Sequence, residues 1–66
     1  MLIQLNGETY ALNDECSVAG LLEHLQLAGR RVAVELNFEI VPRSLYETTL
    51  LKEGDALEVV HAIGGG

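Results

Sequence analysis

The residues best placed to do chemistry are the last five, Ala62-Ile63-Gly64-Gly65-Gly66, where a terminal carboxylate follows three consecutive residues without a Cβ. Glycine offers nothing to pack and loses more backbone freedom on ordering than any other residue. The pattern therefore predicts a flexible tail over residues 64–66 behind a folded domain over residues 1–63. Fully extended, the three glycines reach roughly 10 Å beyond Ile63, and Gly64 and Gly65 can thread a slot too narrow for any side chain. An α-carboxyl group with an ordinary pKa of about 3.5 is ionised at neutral pH and inert towards nucleophiles, so chemistry at Gly66 requires activation by another protein. The competing reading is plain terminal disorder. What decides between them is the domain in front of the tail.

The other reactive side chains read as structural. Cys16 is the single cysteine, so it cannot form an intrachain disulfide, and nothing nearby in sequence supplies a base or a positive charge to lower its pKa. His24 and His61 are too few and too far apart for a metal site without a cluster of cysteines or carboxylates. Glu53 and Asp55 flank Gly54, which is turn chemistry before it is a carboxylate pair. No metal, bound cofactor or catalytic residue is expected. The chain has 66 residues, 48% of them hydrophobic and only three aromatic, Tyr10, Phe38 and Tyr46. At this length a domain buries about 60% of the surface that its unfolded chain exposes, which leaves a small aliphatic core and no room for a deep catalytic cleft. A net charge of −6 argues against nucleic acid and anionic membranes and for a basic protein partner. The start MLIQLNGETY alternates and then turns, unlike a signal peptide or a spanning segment, so the cytoplasm is the expected location.

The elements that must position the tail follow from periodicity. Met1 to Leu5 alternates with Ile3 and Leu5 inward, Asn6-Gly7 predicts a type I′ hairpin turn, and Thr9 to Leu12 returns antiparallel. Ser17 is the expected N-cap of a helix over Val18 to Leu27, because Val18, Leu21, Leu22 and Leu25 form one apolar stripe. Asp14 and Glu15 suit the positive end of its dipole, and Arg30 and Arg31 the negative end. Gly29 is the expected C′ residue. Gly20 costs about 1 kcal/mol relative to alanine inside that helix, tolerated for close approach to the sheet. Val32 to Leu36 alternates again, Asn37-Phe38 reverses the chain into a short strand over Glu39 to Val41, and Pro42 stops it. Arg43 to Leu51 reads as a 3-10 turn and loop with Leu45, Leu50 or Leu51 returning to the core. A turn at Glu53-Gly54-Asp55 leads into the last strand, Ala56 to Ile63.

Hairpin, helix, two strands, short turn, strand is an α+β order in which one main helix crosses a mixed sheet of four or five strands. It is the order of the β-grasp, or ubiquitin-like, fold. Leu36-Asn37, then Glu39-Ile40-Val41-Pro42-Arg43, then Glu53-Gly54-Asp55-Ala56-Leu57-Glu58-Val59-Val60, then Gly65-Gly66, resemble the ThiS family of sulfur carrier proteins of thiamin biosynthesis across essentially the whole chain. Phe38 departs from that pattern, which usually has glycine or a small polar residue in the turn.

The resemblance implies that the last strand lies parallel to the first at the sheet centre. It also implies that a ThiF-like, E1-like adenylyltransferase uses ATP and magnesium to activate Gly66. Sulfur from a cysteine desulfurase then gives a thiocarboxylate, and a ThiG-like thiazole synthase consumes it, so the chain is a co-substrate and not an enzyme. Leu2, Ala33, Val60 and Ala62 share the outward parity of adjacent strands, an apolar strip that reads either as the partner surface, flanked by Glu35 and Glu58, or as ordinary exposure of one sheet face. Two other classes fit the same tail: a molybdopterin-synthase small subunit or ubiquitin-like modifier, whose mark would be a longer loop region, and a β-grasp binding module with inert glycines.

Overall fold

The computed structural model describes residues 1–61, so Ala62 to Gly66 lie outside the described residues. The elements run β1 (Leu2–Leu5), β2 (Glu8–Ala11), α1 (Val18–His24), β3 (Val32–Leu36), β4 (Glu39–Ile40), a 3-10 turn (Arg43–Leu45) and β5 (Ala56–His61). They form a mixed five-stranded sheet in the order β2-β1-β5-β3-β4, with the last strand in the middle. β5 is parallel to β1, with Gln4 opposite Ala56, and antiparallel to β3, with Val34 opposite Val59. This is the α+β, ubiquitin-like β-grasp, and it has five strands.

Alternation explains the sheet. Ile3, Val34 and Leu57 point to one face and are fully buried there with Val18 and Leu21 of α1. Each such side chain contributes about 1.5–3 kcal/mol on leaving water. Leu51 is the residue of the 43–51 loop that returns to the core, whereas Leu45 and Leu50 are exposed. β4 spans two residues; beyond it the Val41 N–H still donates to the Val34 carbonyl at 2.9 Å, and the Val41 side chain is buried.

Both hairpins turn through left-handed backbone. Asn6 and Gly7 have φ of 52° and 84°, and Asn37 and Phe38 have φ of 51° and 70°. These are the two positive angles that a type I′ turn requires. Phe38 occupies the position that favours glycine, and its side chain is 89% exposed, so no packing offsets the strain.

The helix starts where expected, with Ser17 Oγ accepting from the Gly20 N–H at 3.1 Å. It ends three residues early, at His24 instead of Leu27. Gln26, with φ of 62°, takes the C′ position predicted for Gly29. The Leu27 N–H donates to the Leu22 carbonyl at 2.7 Å and the Gln26 N–H to that of Glu23 at 3.0 Å, the two bonds of a Schellman cap. Gly29, at φ of 77°, instead serves the following turn. The close approach at Gly20 is also not to the sheet: a Cβ there would lie 3.2 Å from Cys16 Cβ, in the loop that leads into the helix.

Candidate functional site

The C-terminal end of β5 is where the domain meets Gly64, Gly65 and Gly66, which with Ala62 lie outside the described residues. Its base is held from two sides. On one side His61 lies opposite Val32 and Val60 opposite Ala33, across the antiparallel ladder to β3. Tyr46 Oη donates to the Val32 carbonyl at 3.4 Å and ties that rung to the 3-10 segment. On the other side β1 has already turned away at Asn6, yet the pairing continues through a side chain. Asn6 Oδ1 accepts from the Val59 N–H at 2.8 Å, and Asn6 Nδ2 donates to the Val59 carbonyl at 3.2 Å.

A second asparagine bonds the start of β5. Asn37 Oδ1 accepts from the Ala56 N–H at 3.0 Å, and Asn37 Nδ2 donates to Asp55 Oδ1 at 3.1 Å. The sequence pattern assigns both asparagines to turns alone. Their second role depends on which strand lies alongside, and no local signal carries that.

The outward face divides. Ala33 and Val60 are directly opposite one another, half-buried and 57% exposed respectively. Leu2 does not join them: the parallel register sets Gln4 against Ala56, so Leu2 lies beside Gly54, whose N–H donates to its carbonyl at 2.8 Å, at the far end of β5. Glu35 and Glu58 face each other two residues along from Ala33 and Val60 on the same face, so they border that pair on one side. Like charges directly opposite in a ladder are unfavourable. Ile40, opposite Glu35 and 66% exposed, belongs to the same face. Its alternation with buried Val41 is a signal that could have included it.

The remaining reactive groups lie elsewhere. Cys16 is half-buried in the loop before α1, and burial pushes its thiol pKa up. His24 packs edge-on against Tyr10, with ring centroids 6.0 Å apart. Both Glu53 carboxylate oxygens accept from the Leu2 N–H, at 3.1 and 3.2 Å, and Asp55 Oδ2 accepts from the Lys52 N–H at 2.8 Å, which is turn and strand-end chemistry. Among the described residues no group of three or more His, Cys, Asp or Glu side chains is placed to hold a metal, and no helix is long and apolar enough to cross a membrane. An open groove on the helix side, between Leu22, Leu27 and Tyr46 with Arg30 and Arg43 at its rim, brings none of these groups together.

A small β-grasp with the last described strand at the sheet centre, and with exposed Val60 close to the end of that strand, has the form of a ubiquitin-like carrier. The chain belongs to the ThiS family, whose sequence model matches residues 3–66. It is 36% identical to the sulfur carrier protein ThiS of Bacillus subtilis, over 98% of this chain and all of that one. The crystal structure of the thiamine biosynthesis protein ThiS from Geobacter metallireducens superposes with a TM-score of 0.88, at 35% identity and full coverage of both chains. The chain is also 44% identical to a thiazole synthase of Paramagnetospirillum magneticum and 46% identical to one of Magnetococcus marinus, in each case over all 66 residues but spanning only 20% of the relative's length.

Proposed function

We propose that this chain carries sulfur as a thiocarboxylate on Gly66 and delivers it to a thiazole synthase. Family membership and whole-length likeness to a ThiS sulfur carrier make it a sulfur carrier protein of thiamin biosynthesis, not a catalyst. The finer steps follow from the chemistry of a carboxylate. A Gly66 oxygen attacks the α-phosphorus of ATP in the active site of an E1-like adenylyltransferase, which uses magnesium, and pyrophosphate leaves. The resulting acyl adenylate has the leaving group that a carboxylate lacks. The terminal sulfur of a persulfide derived from a cysteine desulfurase attacks the carbonyl carbon, and AMP leaves. A second thiol then cleaves the sulfur–sulfur bond, taking up the persulfide's cysteine as a disulfide and releasing the thiocarboxylate. In such a scheme the carrier supplies recognition and its partners supply the chemistry.

The observation that supports this reading is the placement of the last described strand at the sheet centre, where it is bonded on both sides as far as Val59 and where Val60, opposite Ala33, is exposed. The likeness to thiazole synthases over a fifth of their length supports a thiazole synthase as the acceptor. The test is intact mass after incubation with the adenylyltransferase, ATP, magnesium and a persulfide source. The expected product has one oxygen replaced by sulfur. An unchanged mass, with the same enzymes active on another carrier, overturns the proposal and leaves an inert-tail binding module.

A further inference from the structure

We infer that Asn6 is a positioning residue for the carboxylate reaction, acting through Val59 to aim the end of β5. The inference rests on the carrier reading above. In β5 the odd-numbered residues turn their peptide groups towards β1: the Leu57 carbonyl accepts from the Asn6 N–H at 2.9 Å. Two residues on, Val59 presents the same pair of groups, but β1 has ended at Leu5 and the backbone has entered the type I′ turn. The carboxamide of Asn6 takes the place of the missing strand, giving an acceptor to the Val59 N–H and a donor to the Val59 carbonyl. One side chain thus supplies both halves of a ladder rung. Asparagine also tolerates the left-handed backbone at this position. Asp offers only acceptors at neutral pH, and Gly offers neither group.

The clamped residue, Val59, lies just before Val60 and His61, where β5 ends, and the clamp restrains β5 on the side where β3 gives no support. Without it, β5 beyond Leu57 is paired to β3 alone and can swing about that ladder. Ala33 and Val60, the proposed docking pair, are opposite one another in the β3–β5 ladder, which the loss of the clamp leaves intact. Loss of the clamp therefore leaves recognition of the activating enzyme unchanged and reduces the fraction of bound carriers whose carboxylate is aligned with ATP. Small misalignments of reacting atoms are costly in rate.

Asn6→Gly removes the clamp while keeping the positive φ, and Asn6→Asp keeps the acceptor alone. Amide exchange at Val59 in the free protein and ATP–pyrophosphate exchange with the activating enzyme are measured for both variants and the parent. For Asn6→Gly the expected results are exchange at Val59 faster by about fivefold, the loss of roughly one net hydrogen bond, and kcat reduced on the order of tenfold with KM unchanged. Asn6→Asp is expected to fall between Gly and the parent in both measurements. Parental kcat in Asn6→Gly overturns the inference, as does a loss expressed wholly in KM. If the parent itself exchanges no pyrophosphate, the carrier reading fails and the positioning role falls with it. Accelerated exchange confined to Val59 and its neighbours, with parental melting temperature, excludes a general loss of folding as the cause.

Discussion

Asn6 and Asn37, at φ of 52° and 51°, are equivalent residues of two type I′ turns, and each bonds the same strand through its side chain, at Val59 and Ala56 respectively. The central strand is therefore gripped near both ends by the turns of the hairpins on either side. The turns differ at their second central residue, which is Gly7 in one and Phe38 in the other.

That difference gives a stability prediction. A left-handed L-residue costs about 1–2 kcal/mol, and Phe38, almost wholly exposed, gains little packing in return. Phe38→Gly is expected to stabilise the fold by about 1 kcal/mol, less whatever the freer unfolded chain takes back. Urea denaturation measures it. A lower midpoint would show that the ring makes a stabilising contact.

Cys16 predicts a pH dependence. Burial favours the neutral thiol and raises its pKa, so the folded chain holds the proton more tightly than the unfolded one. The associated stability is fully present below the unfolded thiol pKa and is lost as pH rises through the higher folded value. Alkylation of native protein should show a midpoint at higher pH than the denatured chain. A lower midpoint would restore Cys16 as a candidate sulfur relay; with the thiol unactivated, Cys16→Ser is expected to load sulfur normally.

Val60 and Leu2 are both exposed outward residues, yet they sit at opposite ends of the central strand. Val60→Asp is expected to weaken the complex with the activating enzyme by at least tenfold, and Leu2→Asp to leave it nearly unchanged. Surface substitutions of this kind shift stability by about 0.5 kcal/mol or less. Calorimetric titration of both variants checks the pair. Equal weakening by both would extend the docking surface over the whole face.

The terminus tests the carrier chemistry directly. One residue added after Gly66 moves the carboxylate by about 3.5 Å, and deleting Gly66 withdraws it by as much. Both variants are expected to fold normally and to exchange no pyrophosphate with ATP. Gly65→Ala, which adds a Cβ to the threading segment, is expected to react far more slowly than the parent. Parental rates in an extended variant ending in another residue would remove the role assigned to Gly66.

The sequence carries most of the architecture because the signals involved are local. Alternation locates β1, β3 and β5, Asn6-Gly7 specifies its turn, and Ser17 marks the helix start. The helix end is not legible because Gln26 adopts a conformation in which glycine is favoured, and nothing in its own chemistry announces that. The side-chain bonds of Asn6 and Asn37, the facing of Glu35 with Glu58 and the separation of Leu2 from Val60 all depend on strand register. Register across a parallel pair joins residues some fifty positions apart, Gln4 with Ala56 for instance, and periodicity within each strand does not contain it.

The sheet order also governs the sequence of assembly during synthesis. β1 and β2 can pair as soon as they emerge, and so can β3 and β4, but the two hairpins do not border one another; β5 lies between them. Until residues 56–61 are made, there is no continuous sheet for α1 to cover. A ribosome-bound chain lacking that segment holds two separate ribbons, each only marginally stable in water. Completion of the sheet thus waits on its last described strand, and a copy without that strand has no folded surface to offer a partner.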